Sequence, residues 1–186
     1  MKMQTLKDLY IDELKDVYDA ENQIAKALPK MAKEAGNEEL RAAIEQHLDQ
    51  TQTQIERLEQ IFEELGEKAK GTKCEATKGL LEEAKRMMEE AEDEDVRDAA
   101  IIGSAQKVEH YEIAAYGTLR TYAELLGFDE QAELLQETLD EEKETDENLT
   151  ELAVSCINME ANEEDSEEEE DSGESNRMNR SQKANK

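Results

Sequence analysis

The stretch KVEHYEIAAYGTLRTYAELLG, residues 107–127, places two glutamates inside an apolar helical stripe. Its apolar residues recur at steps of three and four, the spacing of one face of an α-helix. The stripe contains Val108, Tyr116, Leu119, Tyr122, Ala123 and Leu126, and Gly127 ends it. Glu109 and Glu112 lie within the stripe. Because burying an ionised carboxylate is costly unless it is paired or bound to a metal ion, both are candidate ligands.

Three further stripes with the same spacing predict that the rest of the fold is also all-α. They cover residues 6–35, 40–65 and 134–153, and the stripe described above extends back to residue 96. Gly36 and Gly127 mark tight turns, so the four helices form two antiparallel hairpins. The predicted fold is a ferritin-like four-helix bundle, in which one long crossover joins the hairpins.

Residues 67–94 form this crossover. Residues 67–78 (EKAKGTKCEATK) show no apolar periodicity and predict a loop, whereas residues 79–92 predict a short helix. Pro29 lies inside the first stripe. Because proline removes a backbone donor, we expect it to interrupt the first helix and to kink it near residue 25.

The chain is strongly acidic, with 50 Asp and Glu against 22 Lys and Arg and a net charge of -28. Such a surface repels phosphate groups, so we expect neither nucleic acid nor an anionic membrane surface as a partner. No long apolar run and no signal peptide are found. Cys74 and Cys156 are isolated, which is typical of reduced thiols in the cytoplasm rather than of a disulfide scaffold or a zinc site.

The acidic excess has two interpretations. It is either an ordinary solvated helix surface or an adaptation to a salt-rich cytosol, where screening weakens the repulsion among carboxylates. Residues 160–186 contain ten acids and four bases and almost no apolar side chains, which predicts a disordered acidic tail. The predicted bundle domain, residues 1–159, still holds 40 acids against 18 bases. Its acidity is therefore independent of the tail.

Glu21, Glu142 and Asp146 are the other carboxylates beside apolar stripes. Glu21 and Glu112 each lie about 15 residues before a tight turn, which brings Glu21, Glu109, Glu112 and Glu142 to one level of the bundle. Carboxylates crowded at one level either share protons or bind cations. Two Fe or Mn ions suit such hard oxygen ligands, and no organic cofactor is predicted. The alternative is a polar layer of protonated glutamates bonded to neighbouring side chains, namely Tyr18, Tyr116, Thr51 and Gln54.

The second helix offers few ligands. A di-iron bundle has Glu-x-x-His on two helices, and here Thr51 to Gln54 occupies the matching place. His47 lies on the core side one turn earlier, either as a ligand or as a hydrogen-bonded core histidine. His110 adjoins Glu109 but points away from the stripe, so a flank or a subunit contact is favoured over a ligand role.

The chain resembles the YciF/YciE family of ferritin-like stress proteins over about residues 4–154. The resemblance is carried by LKDLYIDELKDVYDAENQIAKALPKMA at 6–32, HLDQTQTQIERLEQIF at 47–62, KVEHYEIAAYGTLRTYAELLG at 107–127 and LLQETLDEEKETDENLTELA at 134–153. It implies a rubrerythrin-like bundle that is often dimeric, a stress-response role and ferroxidase activity. The metal positions it implies are Glu21, Glu109, Glu112 and Glu142, with Thr51 and Gln54 at the carboxylate and histidine positions of the second helix.

Two functions follow as hypotheses. The first is a metal-binding stress-response protein with a di-iron or di-manganese site, formed from Glu21, Glu109, Glu112, Glu142, Asp146, His47 and Gln54, and with ferroxidase or peroxide-linked activity. The second is a non-catalytic homodimeric bundle that binds a partner and keeps a vestigial metal site. The sequence identifies neither the catalytic residues nor a protein partner.

Overall fold

The computed structural model describes residues 3–162, and these are helical apart from short connections. Helix α1 spans Leu6–Glu34, α2 spans Glu38–Leu65, α3 spans Glu75–Glu90, α4 spans Glu94–Leu126 and α5 spans Asp129–Leu152. A π-helical turn at Ala153–Ile157 continues α5. No strand occurs within the described range, which confirms the all-α prediction.

Helices α1, α2, α5 and α4 form a bundle in that order around its axis, and α3 packs outside on α4 and α1. Contacts between α1 and α4 show that they run in opposite directions. Asp98, near the start of α4, accepts hydrogen bonds from Gly36 and Asn37 after the end of α1, whereas Tyr116 in the second half of α4 bonds Glu21 in the middle of α1. The predicted bundle of two antiparallel hairpins with a long crossover is confirmed.

Local capping fixes where the long helices begin and end. Thr5 and Asp8 form a reciprocal capping box at the start of α1, and Asn37 accepts two backbone hydrogen bonds at the start of α2. Gly66 and Gly127 end α2 and α4 with positive φ values of 67° and 74°, a conformation that glycine adopts without a steric penalty. These caps set the length of each hairpin and therefore which residues face one another.

The crossover helix begins four residues earlier than predicted, so the predicted loop at 67–78 is wrong for its last four residues. Cys74 caps α3, its sulfur accepting from the Thr77 amide at 3.4 Å, and both side chains are buried. A thiol is an unusual cap, and its burial against the bundle is a tertiary effect that a search for apolar periodicity does not detect. The predicted end at residue 92 lies two residues beyond the observed end.

The predicted interruption of the first helix at Pro29 is wrong, because α1 continues through it to Glu34. Pro29 lies on the exposed side of the helix, where water can bond the carbonyl that loses its donor. The kink near residue 25 stays a prediction.

Helical backbone also continues through residue 162, three residues beyond the predicted domain boundary at 159. The remainder of the predicted acidic tail, from residue 163 onward, lies outside the described residues.

A polar layer divides the hydrophobic core into two halves. One half holds Ile24, Leu28, Ile44 and Leu149, and the other holds Leu14, Leu58, Leu119 and Leu135. Between them, fully buried, lie Glu21 of α1, Thr51 of α2, Glu112 of α4 and Glu142 of α5. The apolar halves hold the four helices together, and the layer between them is the candidate site.

Candidate metal centre

Three helices bring four potential ligands into one group. His47 of α2, Glu109 and Glu112 of α4, and Glu142 of α5 each offer a ligand atom, and these atoms lie within 4.8 Å of one another. All four side chains are buried. Glu21 of α1 flanks the group: one of its oxygens accepts a hydrogen bond from the Tyr116 hydroxyl. The structure thus places the four predicted glutamates at one level, as the turn positions indicated.

The four glutamates are crowded together and buried, each at most 1% exposed. Burial, together with the neighbouring Glu142 carboxylate, raises the pKa of Glu21 to about 8. Burial likewise raises the pKa of Glu142 to about 7. For Glu109 and Glu112 the pKa is raised well above the usual range, first by burial and then by the adjacent carboxylates. Without a cation, the cluster therefore holds protons at neutral pH.

Tyr116 connects the layer to the apolar half of the core that contains Leu58 and Leu119. Its ring packs with that half, and its hydroxyl donates to Glu21. Burial raises the pKa of Tyr116 well above the usual range, so the phenol keeps its proton and remains a donor. This bond fixes Glu21 Oε1.

His47 reaches the cluster from one turn before Thr51. Its Nε2 atom lies 3.4 Å from Glu109 Oε1. Burial lowers the pKa of His47 to about 4, so the imidazole is neutral and can offer a lone pair to a metal ion. Neither ring nitrogen makes a hydrogen bond of good geometry within residues 3–162, although the Gln50 side chain lies close enough to offset part of the effect of burial on this pKa. Of the two roles left open for His47, this geometry favours the ligand.

Unpartnered buried atoms test whether the site suits a metal ion. With the glutamates ionised, hydrogen-bond partners within residues 3–162 are lacking for Glu21 Oε2, Glu109 Oε2, Glu112 Oε2, both oxygens of Glu142, both ring nitrogens of His47 and Gln54 Oε1. With them protonated, Glu21 can bond Glu112 and Glu109 can bond Glu142. Buried polar groups are nearly always hydrogen-bonded, and leaving one unsatisfied costs about 1–3 kcal/mol. Carboxylate oxygens with one imidazole are the donors that Fe(II) and Mn(II) accept. The donor set therefore fits a divalent metal.

The other predicted site residues are placed differently. The carboxylate of Asp146 lies apart from the group of four and accepts from Gln106 at 3.1 Å, with His110 3.6 Å away. The His110 side chain is 69% exposed, in agreement with the predicted position at a flank. Gln54 is buried beside the layer, but its amide nitrogen donates to Glu141. The Thr51 hydroxyl donates to the His47 carbonyl.

Arg57 and Glu141 form the contact beside the site that sequence reasoning missed. Two guanidinium nitrogens of Arg57 donate to the two oxygens of Glu141 at 2.6 and 2.7 Å. This bidentate pair joins α2 to α5 next to Gln54. No signal distinguishes Glu141 from other acids, because a carboxylate adjacent to a stripe is common in a chain with 50 of them.

Fold and site together define a helical-bundle protein with a buried carboxylate and histidine cluster between two apolar halves of its core. The chain belongs to the family described as "Domain of unknown function (DUF892)", whose model matches residues 5–162. It is 51% identical to Protein YciF of Escherichia coli K12 over 162 residues, which cover 87% of this chain and 98% of that protein. The resemblance to the YciF/YciE family is thus confirmed.

Solved structures agree in fold. The crystal structure of the E. coli stress protein YciF matches with a TM-score of 0.80 and 52% identity, covering 84% of this chain and 99% of that one. YcfI from Rhodopseudomonas palustris matches with a TM-score of 0.79 and 48% identity, over 80% and 95% of the two chains. A protein from Xanthomonas campestris matches at 0.67 and 25% identity, over 87% and 99%.

Among residues 3–162, no helix combines the length and the apolar character needed to span a membrane.

Proposed function

We propose that this protein binds two Fe or Mn ions at the layer between the core halves, as a ferritin-like protein of the stress response. One observation carries the proposal: buried carboxylate and imidazole atoms, which lack hydrogen-bond partners when the glutamates are ionised, converge from different helices. A cation at this place relieves both the repulsion among the glutamates and the missing hydrogen bonds. The E. coli relative is described as a stress protein, which supports the physiological part of the proposal.

The side chains of the layer have distinct roles in this proposal. Glu109, Glu112, Glu142 and His47 hold the metal, and Tyr116 orients Glu21 by its hydrogen bond. The bound ions would supply one-electron redox chemistry, which is the basis of ferroxidase or peroxide-linked activity. The glutamates release protons when metal binds, because their pKa values are raised in its absence.

Metal analysis of matched variants tests the proposal. Untagged protein is reconstituted anaerobically with Fe(II) or Mn(II), desalted and analysed for metal per chain. We expect Glu112→Gln to lower the affinity by about tenfold or more, as loss of a group in a metal site typically does. Glu83→Gln is the control, because Glu83 lies exposed on α3 and pairs with Lys107. The proposal would be refuted if reconstituted wild type held no metal and if adding metal left its stability unchanged.

The non-catalytic bundle remains a second candidate because α2 contributes Thr51 and Gln54 where the family resemblance places a carboxylate and a histidine. On this alternative the glutamates stay protonated and the protein acts as a homodimer through a partner. No metal bound after reconstitution, and no acceleration of Fe(II) oxidation by oxygen or peroxide, would favour it. The homodimer is itself a proposal, and sedimentation equilibrium of the full chain measures it.

A cytoplasmic location completes the proposal. The thiols of Cys74 and Cys156 are both free, as is usual in a reducing compartment.

A further inference from the structure

Neighbouring helices of the bundle meet along four seams, and side chains do not fill these seams equally at the level of the site. Two aromatic residues close the seam between α1 and α2: Tyr18 donates to Glu59 at 2.8 Å and packs edge-on against Phe62 with ring centres 5.7 Å apart. The seam between α1 and α4 is closed by the bond from Tyr116 to Glu21.

The side-chain amide of Gln106 bridges the seam between α4 and α5. Gln106 donates to Asp146 at 3.1 Å and to Thr150 at 2.7 Å, and His110 lies beside Asp146 on the outside. These contacts account for the position of Asp146 outside the metal group, since it closes this seam.

The seam between α2 and α5 has a closed half and an open half. Arg57 and Glu141 close one half with their bidentate pair, and Arg57 also bonds Thr138 at 3.2 Å. Toward the other end of the helices the seam contains a cavity of about 60 Å³. His47 and Glu109, two of the four potential ligands, form its inner wall.

This cavity runs from the surface to the site. Its exposed lining residues are Gln46 on α2 and Glu144 and Asn148 on α5, whereas His47 and Glu109 at its inner end are buried. A volume of 60 Å³ holds about two water molecules, far less than the 300 Å³ or more of a typical pocket for an organic ligand. The mouth carries the carboxylate of Glu144, which attracts cations.

From this geometry we infer that the cleft between α2 and α5 is the route by which metal ions and small oxidants such as O₂ or hydrogen peroxide reach the cluster, with His47 and Glu109 the first groups they meet. The inference rests on the proposed function for its chemistry. The size of the cleft sets the substrate class: species of a few atoms pass through it, and organic substrates do not.

Filling the cleft tests the route. Ala43 lies half-buried on the α2 wall, and its neighbour Ala42 is exposed and does not line the cavity. Ala43→Leu therefore fills the cleft, and Ala42→Leu is the matched control with the same residue change. Ala105→Leu fills it from the α4 wall and serves as a second variant if Ala43→Leu does not fold.

The first measurement is stopped-flow uptake of Co(II) by metal-free protein, with release into excess EDTA. If the cleft is the route, a filled cleft slows uptake and release by about tenfold with an unchanged equilibrium affinity, and Ala42→Leu behaves as wild type. Rates that are the same in folded Ala43→Leu, Ala105→Leu and Ala42→Leu overturn the route, while the metal site itself stands.

The second measurement needs no metal and so separates the route from the proposed function. Dissolved O₂ broadens the NMR signals of methyl groups that it approaches. We expect strong broadening at Ile44 and Leu149, which line the cleft, and little at Leu58 and Leu119 in the other core half. If wild type binds neither Fe(II), Mn(II) nor Co(II), the proposed function fails, and the broadening pattern alone tests the route. Equal broadening of all four residues overturns the route.

Discussion

Glu21 and Glu142 show how the position of a side chain decides its charge. On an exposed helix face either would be an ionised surface acid, but here each is fully buried beside other carboxylates. Their pKa values of about 8 and about 7 lie above the value near 4.5 that they have in an unfolded chain. Between about pH 4.5 and pH 8 the folded, metal-free protein therefore binds more protons than the unfolded chain.

This proton difference predicts how the stability of the metal-free protein depends on pH. Below about pH 4.5 both states are protonated at these groups, so the contribution of the two glutamates is fully favourable there. As pH rises through 7 and 8, the folded state must ionise buried groups, and that contribution is lost. We expect the free energy of unfolding in EDTA to fall by several kcal/mol from pH 5 to pH 8.5, measured by urea denaturation.

A glutamine substitution tests whether the fall in the free energy of unfolding with pH comes from the buried glutamates. Glu142→Gln removes one titrating group and should flatten the fall, whereas Glu147→Gln, on an exposed face of the same helix, should leave it unchanged. Equal slopes in all three proteins would mean that repulsion among surface acids, rather than the buried layer, sets the dependence on pH.

The candidate ligands differ in how visible they are in the sequence. Glu21, Glu109, Glu112 and Glu142 are detectable because each interrupts an apolar stripe. The sequence leaves the role of His47 open. Helix geometry places its backbone nearer to the half of the core that contains Leu28, and it does not determine how far the ring extends toward Glu109. That reach depends on side-chain packing among three helices.

The crossover is held to α1 by contacts that involve few apolar side chains. Gly71 lies against the helix backbone at Asp19: a Cβ added to Gly71 would lie 2.7 Å from Asp19 Cβ and 3.1 Å from its Cα. Next to it, the Thr72 amide donates to the Lys15 carbonyl at 3.0 Å. The Asp19 carboxylate then accepts from the Cys74 amide at 2.9 Å. Backbone approach therefore determines where α3 begins.

Two glycine substitutions test this docking with the same chemical change. Gly71→Ala forces the crossover away from α1, and we expect it to lower the free energy of unfolding by about 1–3 kcal/mol. Gly79→Ala, at an exposed position of α3 where an added Cβ meets nothing within 4 Å, should raise it by about 0.5–1 kcal/mol. Chemical denaturation of both variants measures the difference, and a Gly71→Ala protein as stable as wild type would show that the loop yields freely.

The same contacts explain which parts of the fold were predictable. Helices α1, α2, α4 and α5 carry apolar stripes, so their number, order and pairing follow from the spacing of residues. The first turn of α3 has no stripe, because its position depends on a thiol cap and on the carboxylate of Asp19. Periodicity records which side of a helix is buried, and it contains no information about such polar contacts between distant segments.

Surface charge acts on the whole bundle. The first 159 residues carry 40 acids against 18 bases, and folding brings these charges onto helices that lie side by side. Several exposed ion pairs, such as Lys85 with Glu89 and Arg86 with Glu90, join residues one turn apart on the same helix. Pairs of this kind contribute about 0–1 kcal/mol each, so they offset little of the repulsion among the remaining acids.

We therefore expect stability to rise with salt. The Debye length is about 30 Å at 0.01 M salt and about 3 Å at 1 M, so acids across the bundle repel at low salt and only near neighbours do at high salt. The folded state concentrates charge more than the unfolded chain, and screening consequently favours folding. EDTA in every sample separates this effect from metal binding at the glutamates. Urea midpoints measured from 0.05 to 2 M KCl should increase steadily. A flat or falling series would mean that the acidic residues form an ordinary solvated surface. The interpretation as an adaptation to a salt-rich cytosol would then be abandoned.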